Sequence, residues 1–240
     1  MRNIIYFIFI LLFFLVSCLN NKEQDNKTKQ EINEKVQNKQ EPVNEINTDY
    51  LSSTKNIDFQ KIDLYELNKM TVRLLEQGKF ESKLSVKDSL FRLAVLYSSK
   101  IIERDSTFIY AYVNKSVAYT GLKKYNNAID ILSSVKKQIS VYPDATFRMG
   151  IISEKMGNDS IAQNFYKKAF DEYQEYLISP NATAADDINF EFLYLLLEGK
   201  GKALKRIEGK LKSSPNNQTY LTLAKNFQEF NREEYIKNFQ

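Results

Sequence analysis

The chain has 240 residues, 43% of them hydrophobic with 16 Phe and 15 Tyr, and a formal net charge of +4. That is enough apolar material for a packed core in one or two domains, and well short of the clustered basic footprint of a nucleic-acid binder. There is no His, no Trp and one Cys, so zinc fingers, His metal sites, His-dependent triads and intrachain disulfides are excluded by inventory, and neither a metal nor a cofactor is expected.

Met1-Arg2-Asn3 makes a short positive start, and Ile4 to Val16 is an unbroken apolar run of 13 residues. A spanning helix needs about 20 residues, so the run reads as the core of an export signal. It ends in Leu15-Val16-Ser17-Cys18, which resembles the bacterial lipobox. The resemblance implies that residues 1–17 are a signal peptide, and that Cys18 carries a diacylglyceryl group on sulfur and an acyl chain on its new amino terminus. At about 0.8 kcal/mol per buried methylene, two or three chains hold far more firmly than a single myristoyl group. The expected address is the bacterial cell envelope, on the outer membrane through this anchor.

Residues 18–56 hold the lipidated Cys and a stretch rich in Asn, Lys, Gln and Glu with few apolar residues. Such a stretch cannot bury enough surface to offset its ordering entropy, so a disordered linker is expected. Its roughly 38 residues give an r.m.s. span of about 31 to 37 Å. Acids and lysines nearly cancel along it, which argues for a spacer and against a polybasic membrane clamp.

From residue 57 to 240 the pattern is helical throughout. Leu64, Leu67, Met70, Thr71, Leu74 and Leu75 form an apolar stripe over about Ile62 to Gln77, with a turn expected at Gly78-Lys79-Phe80. A long second helix carries Leu84, Phe91, Ala94, Val95, Ile101 and Ile102 on one face to about Arg104. Asp105-Ser106 is a stop before a second hairpin over Ile109 to Ile139. Pro143 suits the first turn of a third, which runs to Ile178 before Ser179-Pro180-Asn181 breaks it. A fourth joins Asp186–Glu198 to Lys202–Lys212 through Gly199-Lys200-Gly201. That tripeptide is no phosphate loop, since it lacks the longer glycine run ending in Lys-Ser or Lys-Thr after a strand. A last helical segment from Gln218, with Leu221, Leu223, Ala224, Phe227 and Tyr235, is expected to cap the stack.

Ala94, Ala128 and Ala162 stand 34 residues apart, and their neighbours repeat with them: Ser98, Leu132 and Tyr166 four residues on, and Ile101, Val135 and Ala169 seven on. This period, with Ala118-Tyr119 followed by Tyr125-Asn126-Asn127-Ala128-Ile129, resembles the tetratricopeptide repeat. The copies depart from the family where Tyr112 and Thr146 stand for Trp and where Lys115-Ser116 and Met149-Gly150 stand for Leu-Gly. Ala203 follows Ala162 by 41 residues, a seven-residue excess. The fold implied is an all-α superhelical stack of four to five helical hairpins.

The resemblance also implies a binding groove on the face made by the first helix of each hairpin. In the 34-residue register that face holds Val113, Val117, Phe147, Ile151, Ile188 and Phe192. They are apolar, so either a partner segment or the chain's own tail or linker must cover them. Asp171, Glu172, Glu175, Asp186, Asp187 and Glu191 cluster in sequence, and a pair such as Glu175 and Glu191 is the one acid–base candidate. Lys202, Arg206 and Lys210 at four-residue spacing read as a solvated basic stripe, with an acidic partner or lipid head groups as the alternative. The reading favoured is a non-enzymatic, membrane-tethered scaffold holding a protein or peptide segment of an envelope complex. The alternative is a glycan or small-ligand binding lipoprotein of a nutrient-uptake system.

Overall fold

In the computed structural model, which describes residues 58–239, the chain enters its first helix at Asp63, whose carboxylate accepts the backbone N–H groups of Tyr65 and Glu66. Two of the four orphan donors of a helix start are thereby satisfied. The export signal, Cys18 and the linker lie outside the described residues.

Helix α1 (Leu64–Phe80) returns through Glu81–Lys83 into α2 (Leu84–Arg104), and α3 (Ile109–Gly121) pairs in the same way with α4 (Tyr125–Gln138). The third hairpin is α5 (Pro143–Lys155) with α6 (Asp159–Tyr176), and the fourth is α7 (Ala184–Glu198) with α8 (Lys200–Ser213). Two shorter helices close the chain, α9 (Gln218–Gln228) and α10 (Arg232–Asn238). Among the described residues there are ten helices and no strand. From α1 to α9, neighbours in sequence pack side by side, and α1 also touches α3 as α5 touches α7, the arrangement of a helical-hairpin stack.

Local sequence accounts for most boundaries. Pro143 sits in the first turn of α5, where a missing N–H costs nothing. Thr183 and Asp186 form a reciprocal capping box at the start of α7. Gly199 alone separates α7 from α8, and its φ of +85° is a conformation that residues with a Cβ rarely adopt.

Gly78 corrects an expectation. The turn foreseen at Gly78-Lys79-Phe80 is helical, and α1 runs on to Phe80. A methyl group on Gly78 would stand 3.0 Å from the Phe91 ring, and one on Gly121 of α3 would stand 2.6 Å from the other side of that ring. These glycines let Phe91 of α2 wedge between the first helices of two successive hairpins. Gly150 of α5 does the same for Tyr166 of α6, where a methyl group would lie 2.5 Å from the ring.

The repeating positions are core positions. Ala94, Ala128, Ala162 and Ala203 are all buried, as are Ser98, Leu132, Tyr166, Ile101, Val135 and Ala169. The buried apolar residues divide into two clusters. One joins Leu67, Leu74, Phe91, Tyr97 and Ile101 to Val117 and Ala118 of α3. The larger begins at Tyr112 and ends at Phe239.

The last segment refines an expectation. It was expected as a helical segment capping the stack, and it breaks after Gln228, where Asn231 caps a separate α10 by accepting the Glu234 N–H. This helix does not simply extend the stack. It packs back on α5, three helices of the stack earlier than α8.

Candidate functional site

The six residues of the expected groove are all buried: Val113, Val117, Phe147, Ile151, Ile188 and Phe192. Phe147 meets Tyr166 edge-on, and Phe192 lies edge-on to Phe227 and stacks on Tyr235 at an interplanar angle of 6°. Of the two covers foreseen for this face, its C-terminal part has the chain's own: α9 and α10 supply the aromatic rings over Phe192. Residues this deep cannot touch a partner unless the cover moves.

The basic stripe of α8 departs from its expectation in part. Lys202 pairs with Glu198, Arg206 with Glu191, and Lys210 with both Asp187 and Glu191. Glu191 has a side-chain exposure of 0%. Arg206 lies over the rings of Phe190 and Tyr194, and Tyr220 donates its hydroxyl to Asp187 at 3.0 Å. The stripe is therefore solvated only at Lys202, 67% exposed, while Arg206 and Lys210 are partly withdrawn from water at 36% and 24%. It neutralises the acids of α7, because a buried carboxylate is tolerated only when paired and hydrogen-bonded.

The acidic cluster divides in the same way. Glu172 accepts the Thr146 hydroxyl at 2.7 Å and pairs with Lys136. Asp186 belongs to the capping box. Glu175 is exposed, whereas Glu191 is enclosed by its two cations. One carboxylate in water and one sealed in an ion cluster do not form an acid–base pair around a shared substrate.

A polar latch holds α10 to the stack. The Arg232 guanidinium donates to both Glu154 oxygens, at 2.6 and 2.9 Å, and to the Leu196 carbonyl at 2.6 Å. Tyr166 donates its hydroxyl to the same carboxylate at 2.7 Å. The hydrogen bond Arg232 donates to Glu154, set against partial burial, raises the Arg232 pKa, and burial pushes the Tyr166 phenol well above its usual range. Residues from α5, α6, α7 and α10 thus share one network.

Beside this latch a cleft of about 920 Å³ opens along the edge where first helices turn into second helices. Its walls include Lys79 and Phe80 at the end of α1, Lys87 of α2, Lys123 between α3 and α4, and Lys155 at the end of α5. Helix α10 lines it too, with Arg232, Glu233, Glu234, Ile236 and Lys237, and the acids Glu154 and Asp159 of the third hairpin complete its charged lining. The Lys155 ammonium donates to the carbonyls of Lys237 and Phe239 at 2.8 and 2.6 Å. Burial, reinforced by the charges of Lys87 and Lys123, lowers its pKa to about 8. Burial likewise lowers Lys79 to about 8, with Glu76 opposing. These lysines were not singled out from the sequence. The available signal was their position: Lys79, Lys123 and Lys155 all stand at turns from a first helix into a second.

Among the described residues no group of three or more acidic or thiol side chains is placed to hold a metal ion, and no helix is long and apolar enough to cross a membrane. Comparison with protein-family models and with curated proteins found no match to this chain.

Proposed function

We propose that this chain is a non-enzymatic scaffold of the bacterial cell envelope, tethered to the outer membrane through a lipidated Cys18, whose helical stack holds a protein or peptide segment of an envelope complex. The hairpins are read as tetratricopeptide-like, four to five in number depending on whether α9 and α10 are counted as the last. The observation that carries this reading is the burial of the alanines in the 34-residue register, Ala94, Ala128 and Ala162, and of Ala203 at the displaced fourth copy. A stack built that way is a quasi-one-dimensional solid whose long edges and faces are suited to extended segments. The lipobox and linker fit a domain that works within reach of a membrane.

Two measurements test the proposal. Replacing Cys18 with Ala should abolish incorporation of labelled lipid and release the chain from the membrane fraction; continued lipid incorporation would refute the anchor. A photocrosslinking residue placed in turn at exposed Phe80 and Leu221 of the tethered full-length chain should capture a defined envelope protein from at least one position. Capture from neither would remove the scaffold reading.

A further inference from the structure

We infer that the turn-edge cleft is a docking site for an acidic polypeptide segment, gripped by Lys79, Lys87, Lys123 and Lys155 and seated against Phe80. This rests on the scaffold reading and says which segment chemistry that scaffold takes.

Four observations support it. First, Lys79, Lys123 and Lys155 come from three different turns and Lys87 from the start of α2, and they meet only because hairpins stack. Local helix composition does not produce such a convergence, and all four line one cleft. Second, none of the four forms an ion pair among the described residues, Glu76 acting on Lys79 only at longer range. Elsewhere Lys61, Lys69, Lys100, Lys136, Lys202 and Lys210 each have a carboxylate within 4.0 Å. What sets the four apart is their convergence: with Arg232 and Lys237 they make six cations against the four acids Glu154, Asp159, Glu233 and Glu234 that line the same cleft, and a concave wall of low dielectric focuses the positive potential of that excess.

Third, two of these ammonium groups are partly desolvated, Lys79 and Lys155 both titrating near 8. The Lys155 ammonium already donates to the carbonyls of Lys237 and Phe239, so an incoming carboxylate would act on it through charge and on Lys79 directly, screened less than on an open surface. Fourth, the cleft matches a segment better than a small ion. Its 920 Å³ lies toward the top of the roughly 300 to 1,000 Å³ range of ligand pockets. It also carries an apolar handle: Phe80 is 58% exposed at its rim and Leu84, in the next turn, 67%. An inorganic phosphate uses neither feature. The concavity, in turn, is a poor match for a flat lipid surface. Glu233 and Glu234 on α10 set the direction of the occupant, whose acids should face the lysines and whose apolar residue should meet exposed Phe80, since Ile236 is only 8% exposed.

The test is fluorescence anisotropy with the full-length chain and a labelled probe peptide of about ten residues in which Glu and Leu alternate. A matched peptide with Gln in place of Glu serves as control. Saturable binding of the acidic probe, weakened at least about ten-fold by the double substitution Lys87→Glu and Lys123→Glu, is expected. The double substitution Lys61→Glu and Lys69→Glu makes the same change in net charge elsewhere and should alter binding by less than about two-fold. Thermal melting of each variant shows that it folds; if the reversed charges prevent folding, Lys87→Gln with Lys123→Gln takes their place.

Equal weakening by both double substitutions, equal binding of the Gln peptide, or no saturable binding would overturn the proposal. So would displacement of the probe by an equal concentration of pyrophosphate, or vesicles with anionic head groups whose binding alone responds to Lys87 and Lys123. Failure of the peptide with crosslinking still obtained from Leu221 defeats the cleft and leaves the scaffold standing. Failure at every position defeats both.

Discussion

The two ends of the stack treat charge in opposite ways. In the α7–α10 region nearly every charged side chain that leaves the solvent has found a partner: Glu191 with Arg206 and Lys210, Asp187 with Lys210 and Tyr220, Glu154 with Arg232 and Tyr166. At the turn edge of α1–α4, Lys79, Lys87 and Lys123 converge on a cleft without a carboxylate partner among the described residues. The first end is held by Phe91 between two glycines and by packing of neighbours in sequence, with one buried polar link from Asn114 of α3 to Asn68 of α1 at 2.8 Å. The second end folds back on itself through α10. The lesson is that simple stacking leaves edges chemically open, whereas a returning terminus turns polar residues into structural ones.

The sharpest way to break this contrast is to attack the cover at the second end. Phe192→Ala should lower stability by about 3 to 5 kcal/mol, because it removes a fully buried ring that contacts Phe227 and Tyr235. Thermal melting reads the loss. A variant that melts like the parent would return Phe192 to the list of partner anchors.

A smaller loss should follow from adding one methyl where helices touch. Gly150→Ala places a Cβ against the Tyr166 ring and should cost about 1 to 3 kcal/mol through overpacking, as should Ala128→Leu at the matching close contact of α4. Urea midpoints measure both. The same Gly→Ala change at Gly209, whose Cβ would meet nothing within 4 Å, should not destabilise.

Arg206→Ala separates the two ends by charge. Glu191 would keep Lys210 but lose one of its cations, and since Arg206 is itself about a third exposed the expected cost is about 1 to 2 kcal/mol. Lys123→Ala at the other end removes a charge that has no partner among the described residues, and should stay within about 0.5 kcal/mol. Equal small effects at both positions would erase the distinction.

The smallest effect is on pH dependence. The folded chain releases the Lys79 and Lys155 protons near pH 8, below the ordinary lysine value of 10.5. Above pH 8 the unfolded state therefore binds more protons, and stability from these groups rises with pH. Above about pH 10 the sign reverses. Tyr166, Tyr173 and Tyr235 are held protonated by burial while their unfolded counterparts ionise near 10.0. Urea midpoints should climb modestly from pH 8 toward pH 10 and then fall. A steady decline across that interval would show that the lysine charges are not strained in the folded chain.

What the sequence by itself determined was the succession of hairpins. The 34-residue register, Pro143 at a helix start, the break at Ser179-Pro180-Asn181 and the stop at Asp105 are local signals, and local signals suffice because a helix satisfies its own backbone and repeats its apolar face every few residues. Gly78 was misread for a related reason. A glycine that ends a helix and a glycine that admits a ring look alike in one dimension, and only Phe91 tells them apart. The candidate site was far less legible. Whether Phe192 faces a groove or a core depends on where α10 goes, and its return to α5 depends on Arg232 reaching Glu154, which lies 78 positions away. The neutralised stripe of α8 needed α7 beside it, and the lysine cleft needed three turns stacked along one edge. Those are contacts between elements distant in the chain, decided by tertiary packing because side-chain periodicity states which face is buried but not what buries it.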